Sequence, residues 1–131
     1  MRRWVEHTSE VQLDIASPTE AGVFAEALGG LAELLGGDDA SGPATTAPLR
    51  VRAGDRAALL VGWLEELLWV AERDQAVPGS ARALVLDGDE LRAEVDWRPA
   101  PPRPLVKAVT WHDLRFERAD DGYHARVVLD V

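Results

Sequence analysis

Residues 10–37 read EVQLDIASPTEAGVFAEALGGLAELLGG, and within them the apolar period changes once. Val11, Leu13 and Ile15 alternate with Glu10, Gln12 and Asp14, the two-residue period of a half-buried strand. From Phe24 onward Ala27, Leu28, Leu31 and Leu35 follow at helical spacing, and Gly36-Gly37 closes the run. Between the two periods stands Ser17-Pro18-Thr19-Glu20. Read as a helix start, it makes Ser17 the cap, Pro18 the first helical residue and Glu20 the partner in a capping box. A strand that feeds a helix so directly points to a fold in which helices cover a sheet.

Working outward, Asp38 to Pro48 is rich in Gly, Ala, Thr, Pro and Asp and reads as a loop. Leu49, Val51 and Ala53 alternate with Arg50 and Arg52 as a second strand. Asp55 can cap a second helix, in which Leu60, Trp63, Leu64, Leu67, Leu68 and Ala71 form a broad apolar stripe. The leucines and tryptophans from Leu60 to Trp69 are expected in the core. Residues 82–87 and 91–97 read as a hairpin turning at Asp87-Gly88. Four prolines from Pro99 to Pro104 form a stiff connector to a long strand, Val106 to Arg118. After the Asp120-Asp121-Gly122 turn, Tyr123, Ala125, Val127, Leu129 and Val131 alternate to the last residue. These patterns predict one domain over 1–131. Its expected class is α+β, a two-layer sandwich of a mostly antiparallel sheet with two helices on one face. Strand–helix–strand followed by helix–strand–strand hints at a repeat, while the strand order stays open.

Composition narrows the function classes. Fourteen Lys and Arg against 23 Asp and Glu leave a formal charge of −9, which disfavours unaided nucleic-acid binding. The absence of Cys removes disulfide scaffolds, thiol catalysis and Cys-ligated zinc. The longest uncharged apolar stretch, Ala57 to Leu64, ends at Glu65 and is far too short for a membrane span. Met1-Arg2-Arg3-Trp4 meets Glu6 and His7 before any apolar run, so no leader is expected and the cytoplasm is the expected location. Neither a phosphate loop nor a dinucleotide fingerprint is present, and no Ser stands in a nucleophile elbow.

Polar residues suited to chemistry gather at Glu6, His7, Glu10, Gln12 and Asp14, at Lys107, Thr110, His112 and Asp113, and at Asp130. Asp130-Val131 offers a side-chain carboxylate beside the chain end. With Glu10 next to them, three negative charges would converge, which favours a hard cation bound through oxygen. Equally, these are ordinary solvent-side strand positions. His112 shares strand parity with Val106, Ala108, Leu114 and Phe116, which makes it a hydrogen-bonded residue on an apolar face. His7 can orient a loop, and His124 belongs on a solvated face.

Three stretches resemble the archease family. Glu6-His7-Thr8-Ser9-Glu10-Val11 is similar to its E-H-T-A-D opening on the first strand. Leu59 to Trp69 is similar to its L-L-x-x-W-L-x-E-L-L-Y helix, and Val106-Lys107-Ala108-Val109-Thr110-Trp111-His112 to its V-K-A-V-T-Y-H string. The chain also ends as archeases do, in Leu129-Asp130-Val131. The resemblance implies a duplicated strand–helix–strand–strand fold. It implies a protein that is no enzyme itself but activates the RtcB-type tRNA-splicing RNA ligase, promoting its guanylylation and multiple turnover. It further implies a divalent cation, calcium first and magnesium or manganese as alternatives, held by Glu10, Asp130 and Val131. His7, Lys107 and His112 would contact the partner or brace the site. RNA is met only through the ligase, and no membrane is involved. Glu10 departs from the family's Asp, keeping the charge with one more methylene of reach, which calcium tolerates better than magnesium. The second helix also carries Gly62 and Glu65 where many archeases have small polar residues. The rival readings are a small metal-dependent hydrolase using His7 or His112 as base, and a metal-free protein-binding module.

Overall fold

The computed structural model describes residues 1–7 and 9–131; the side chain of His7 lies outside that description with Thr8. Nine regular elements follow one another: β1 (Arg2–His7), β2 (Glu10–Ser17), α1 (Glu20–Leu35), β3 (Thr45–Arg52), α2 (Arg56–Asp74), β4 (Ala76–Asp87), β5 (Glu90–Pro99), β6 (Ala108–Ala119) and β7 (Gly122–Asp130). A single 3-10 turn, Gly37–Asp39, follows α1. All strand pairs are antiparallel, and the class is α+β as expected.

The strands fall into two sheets, ordered β1-β2-β7-β6 and β3-β5-β4. Each contains the same motif. In β3-α2-β4-β5 the third strand lies between the first and the second. In β2-α1-β6-β7 the order is again first, third, second. The chain is therefore a duplicated strand–helix–strand–strand unit, with the second copy inserted between α1 and β6 of the first and β1 added at an edge. Both helices touch both sheets: α1 packs on β2 and β4, and α2 on β6, β3 and β4.

The α1 apolar positions anticipated from spacing, Phe24, Ala27, Leu28, Leu31 and Leu35, are all buried. So are Leu60, Trp63, Leu64, Leu67 and Ala71 of α2. The leucines and Phe24 among them contribute roughly 1.5–3 kcal/mol each on burial. The Trp63 indole N–H, which would be orphaned in that core, donates to the Phe24 carbonyl at 2.9 Å and ties the helices together. Trp69 departs from the expected core: it is 54% exposed, because it projects from the outward side of α2.

Several local readings change. The α1 cap is Thr19, whose Oγ1 accepts from the Gly22 N–H at 3.0 Å, while Ser17 Oγ accepts from the Thr19 N–H at 3.3 Å. Pro18 thus precedes the helix, and Glu20 is drawn across to the Arg56 guanidinium at 2.6 Å instead of closing a capping box. Asp55 caps α2 as read, accepting from Ala58 N–H at 2.8 Å. β3 begins at Thr45, inside the expected loop. β1 escapes the period rule because its inward residues are polar at their tips. Arg2 reaches Glu33 at 2.6 Å and Glu26 at 2.9 Å, and the Trp4 indole donates to Glu33 at 3.1 Å. Gly122 turns with φ +132° hard against the Ser17 carbonyl, a position where a Cβ has no room.

β6 is the main correction. Its pairing with β7 runs Ala108–Asp130, Val109–Leu129 and Thr110–Val128, then resumes at Arg115–Arg126 and Phe116–Ala125. Residues 111–114 stand opposite Val127 alone, an excess of three. An odd excess reverses strand parity. Val109 and Phe116 therefore share the inward face, and Trp111, His112 and Asp113 form an exposed bulge with Asp113 at φ 52°. His112 sits on no apolar face. Its side chain is 68% exposed, with Nε2 3.7 Å from an Asp113 carboxylate oxygen.

Candidate metal centre

β2 and β7 are paired along their whole length, and the last rung sets Glu10 directly opposite Asp130. On either side of that rung β1 places His7 beside Glu10, and β6 places Ala108 beside Asp130. Four strands thus meet in one row at a corner of the sheet. Alternation sends Val11 and Leu129 inward, where Leu129 is fully buried. Glu10 and Asp130 therefore face away from the helices, and both are half-buried.

Two main-chain bonds extend the corner past the strand ends. The Val131 N–H donates to the Ser9 carbonyl at 3.0 Å, with Ser9 itself at φ 64°. The Lys107 N–H donates to the Asp130 carbonyl at 2.7 Å. Val131 is held against the start of β2, and Lys107 braces Asp130 through its backbone while its side chain stays exposed. Ser9 and the backbone role of Lys107 carried no signal in the residue pattern, since a main-chain bond depends on register and not on side-chain type.

Like charges directly opposite one another on a sheet repel. Among the described residues, neither Glu10 nor Asp130 has a side-chain hydrogen bond or ion pair to offset this. Among the described residues no group of three His, Cys, Asp or Glu side chains is set to hold a metal ion. The oxygens available at this corner are instead the two carboxylates and the main-chain oxygens of Val131. Hard oxygen donors with a carbonyl-type third ligand fit calcium or magnesium chemistry and not a soft metal. Of the residues expected at the site, the structure brings together Glu10, Asp130, Val131 and the backbone of Lys107. His7 joins by its backbone, and the role expected of its side chain lies outside the described residues. His112 is on the bulge, beyond the row. Its N–H donates to Thr110 Oγ1 at 3.3 Å, while that hydroxyl donates to the Val128 carbonyl at 3.0 Å, so Thr110 pins the start of the bulge.

Asp14, two rungs along the same face, is already engaged. Partial burial would raise its carboxyl, but hydrogen bonds from Arg126 at 2.9 Å, Gln12 at 3.1 Å and Arg3 at 3.3 Å outweigh that and hold it below its usual range. It lines a 370 Å³ cavity with Arg3, Arg115, Glu117, His124 and Arg126. Across it three arginines and His124 face the Asp14 and Glu117 carboxylates. Among the described residues no helix is long and apolar enough to cross a membrane.

Comparison with known proteins follows the same outline. The sequence profile described as the archease protein family matches residues 3–131. Protein archease of Thermococcus gammatolerans is 30% identical over 142 residues, covering 100% of both chains. Protein archease of Methanopyrus kandleri is 29% identical over 135 residues, covering 97% of this chain and 96% of that one. The solution structure of protein 1598 from Methanobacterium thermoautotrophicum superposes with a TM-score of 0.76 at 22% identity, over 99% of this chain and 98% of that one. The crystal structure of a Thermotoga maritima protein, described as an archease and possible chaperone, gives 0.73 at 20% identity, over 100% and 98%. At such identities the two structures speak for the fold alone.

Proposed function

This chain belongs to the archease family, and from that membership we propose that it is a protein cofactor of an RtcB-type RNA ligase, and not an enzyme in its own right. It promotes guanylylation of the ligase and its repeated turnover, meets RNA only through the ligase, and works in the cytoplasm. The observation that carries the reading is the cross-strand rung Glu10–Asp130 with Val131 held beside it.

Glu10 and Asp130 would hold a divalent cation through their carboxylates, and Val131 through main-chain oxygens. When bound, the cation supplies a compact positive charge that relieves the carboxylate pair and suits phosphate oxygens at a nucleotide site. The longer Glu10 side chain favours calcium's flexible coordination over magnesium's strict octahedron, with manganese a further alternative. Lys107 braces the corner from its backbone and leaves its exposed ammonium for the partner. Of the two bases the hydrolase reading would use, His112 stands on the bulge and outside the carboxylate row, and the side chain of His7 lies outside the described residues.

The test is multiple-turnover RNA ligation by the source organism's RtcB-type ligase, with and without this protein. Wild type should raise turnover, and Glu10→Ala and Asp130→Ala should each lose that effect while keeping their circular dichroism. Activation that survives both substitutions removes the cation mechanism. No activation by wild type removes the proposed function.

A further inference from the structure

The face of the β1-β2-β7-β6 sheet that turns away from the helices carries a second row of charge. β1 sets Arg3 beside Asp14, β7 sets Arg126 on the other side of Asp14, and β6 sets Arg115 directly opposite Arg126. Across the four strands the signs run plus, minus, plus, plus. Asp14 accepts from Arg126 Nε at 2.9 Å and from Arg3 at 3.3 Å. Arg115, by contrast, has neither a side-chain hydrogen bond nor an ion pair among the described residues. The carboxylates of Asp113 and Glu117 act on Arg126 only through space. Like charges directly opposite one another on a sheet repel, so the Arg126–Arg115 rung is unfavourable as it stands. It is also out of keeping with a chain whose formal charge is −9. Donors are in excess there too. A guanidinium offers five N–H groups, and Arg126 gives Asp14 only its Nε, which leaves the Nη fork uncommitted. All three arginines line the 370 Å³ cavity already described, a volume within the range of about 300–1,000 Å³ found for small-molecule sites.

We propose that this cavity binds the phosphate group of a small phosphate monoester, held between Arg126 and Arg115, with Arg3 adding charge from the other side of Asp14. Asp14 is a positioning residue. By holding Arg126 from the Nε side it leaves the Nη pair to meet two phosphate oxygens, the bidentate geometry that a guanidinium matches. A phosphate dianion between the two arginines replaces their repulsion by two charge-assisted attractions. The cavity leaves room beside the phosphate for the rest of a mononucleotide, and inorganic phosphate is the other source of the same chemistry. The carboxylate corner at Glu10–Asp130 stands four residues further along β7, about 13 Å at the rise of a strand, so the two are separate sites on one face. The phosphate site thus stands whether or not the chain activates a ligase.

Calorimetric titration of the full chain at low ionic strength tests this, with adenosine 5′-monophosphate, adenosine and inorganic phosphate as probes. Wild type is compared with Arg115→Gln and Arg115→Lys, substitutions at an exposed side chain that the fold does not depend on. Adenosine 5′-monophosphate should bind wild type, and adenosine, which lacks the phosphate, should not. Arg115→Gln should weaken the nucleotide on the order of tenfold, the strength of one charge-assisted hydrogen bond. Arg115→Lys, which keeps the charge but not the fork, should recover part of that loss. Without any probe, Arg115→Gln should melt at or above wild type, because it removes the like-charge rung; an arginine with a structural role alone would shift melting the other way. Both phosphate probes binding supports the site, and the tighter of the two identifies the source. Wild type that binds neither phosphate probe, or Arg115→Gln that binds them as wild type does, overturns the proposal. Single-stranded RNA that binds wild type but not Arg115→Gln, where both small probes fail, assigns the row to a nucleic-acid backbone and overturns it as well.

Discussion

Asp96 shows how a single side chain acquires its properties from neighbours distant in sequence. Arg82 at 2.7 Å, Thr46 at 2.6 Å and Ser80 at 2.9 Å converge on its carboxylate and lower its pKa from 3.8 to about 2. A carboxyl depressed on folding contributes stability that is present above the unfolded value and lost as pH falls through the folded one. Thermal unfolding should therefore show the wild type more stable than Asp96→Asn at neutral pH, with the difference vanishing between about pH 4 and pH 2. A constant gap across that range would remove the linkage. At the candidate metal corner, Glu10→Asp restores the residue of the family motif that the opening stretch resembles. Calcium should raise the melting temperature of both wild type and Glu10→Asp and leave Asp130→Ala unmoved, because only a ligand for the native state shifts the folding equilibrium. Equal calcium shifts in all three would dissociate Asp130 from any cation.

Among the elements, α1 and β6 carry the clearest consequences. With Thr19 as cap, Thr19→Ala should cost about 1 kcal/mol in denaturant unfolding. A neutral result would return the capping role to Ser17. In β6 the odd excess at residues 111–114 keeps Val109 and Phe116 on one face. Deleting Trp111 and His112 together leaves an excess of one and preserves that parity. Deleting His112 alone leaves two and turns Phe116 away from Phe24 and Tyr123, its ring partners at 5.7 and 6.3 Å. The single deletion should thus destabilise more than the double one, an order that contact loss alone would reverse.

Taken as a whole, the molecule is a duplicated unit whose second copy is inserted into the first, and the candidate site lies on the first–third strand pair of the interrupted copy. β7 closes the chain by pairing between β2 and β6, so a residue near the start and one near the end become cross-strand neighbours. A formal charge of −9 suits association with a basic partner, and the proposed activation of an RNA ligase should weaken as salt rises. Activation indifferent to ionic strength would count against electrostatic docking. Trp63→Phe keeps most of the core volume and removes the indole N–H bond to the Phe24 carbonyl, which keeps its partner inside α1. It should cost roughly 0.5–1.5 kcal/mol, and melting should remain a single transition because both helices share one core.

Local pattern alone determined much of this protein. Period-2 alternation marked β2 and β7, helical spacing marked α1 and α2, and Asp55 and Gly36 marked helix ends, since each depends only on neighbours along the chain. Glu10, Asp130 and Val131 were legible together only through resemblance to a family, because no spacing in the sequence says that residues 10 and 130 touch. Tertiary structure decided the strand order, the rung that joins those two carboxylates, the bulge that expels His112 and the exposure of Trp69. β1 stayed hidden for a related reason: Arg2 and Trp4 face inward yet satisfy their polar tips on Glu26 and Glu33, contacts supplied by a helix that is not adjacent in sequence. Periodicity is a short-range property of the chain, whereas register, bulges and long-range pairing are set by which surfaces bury each other when two sheets close on a shared helix pair.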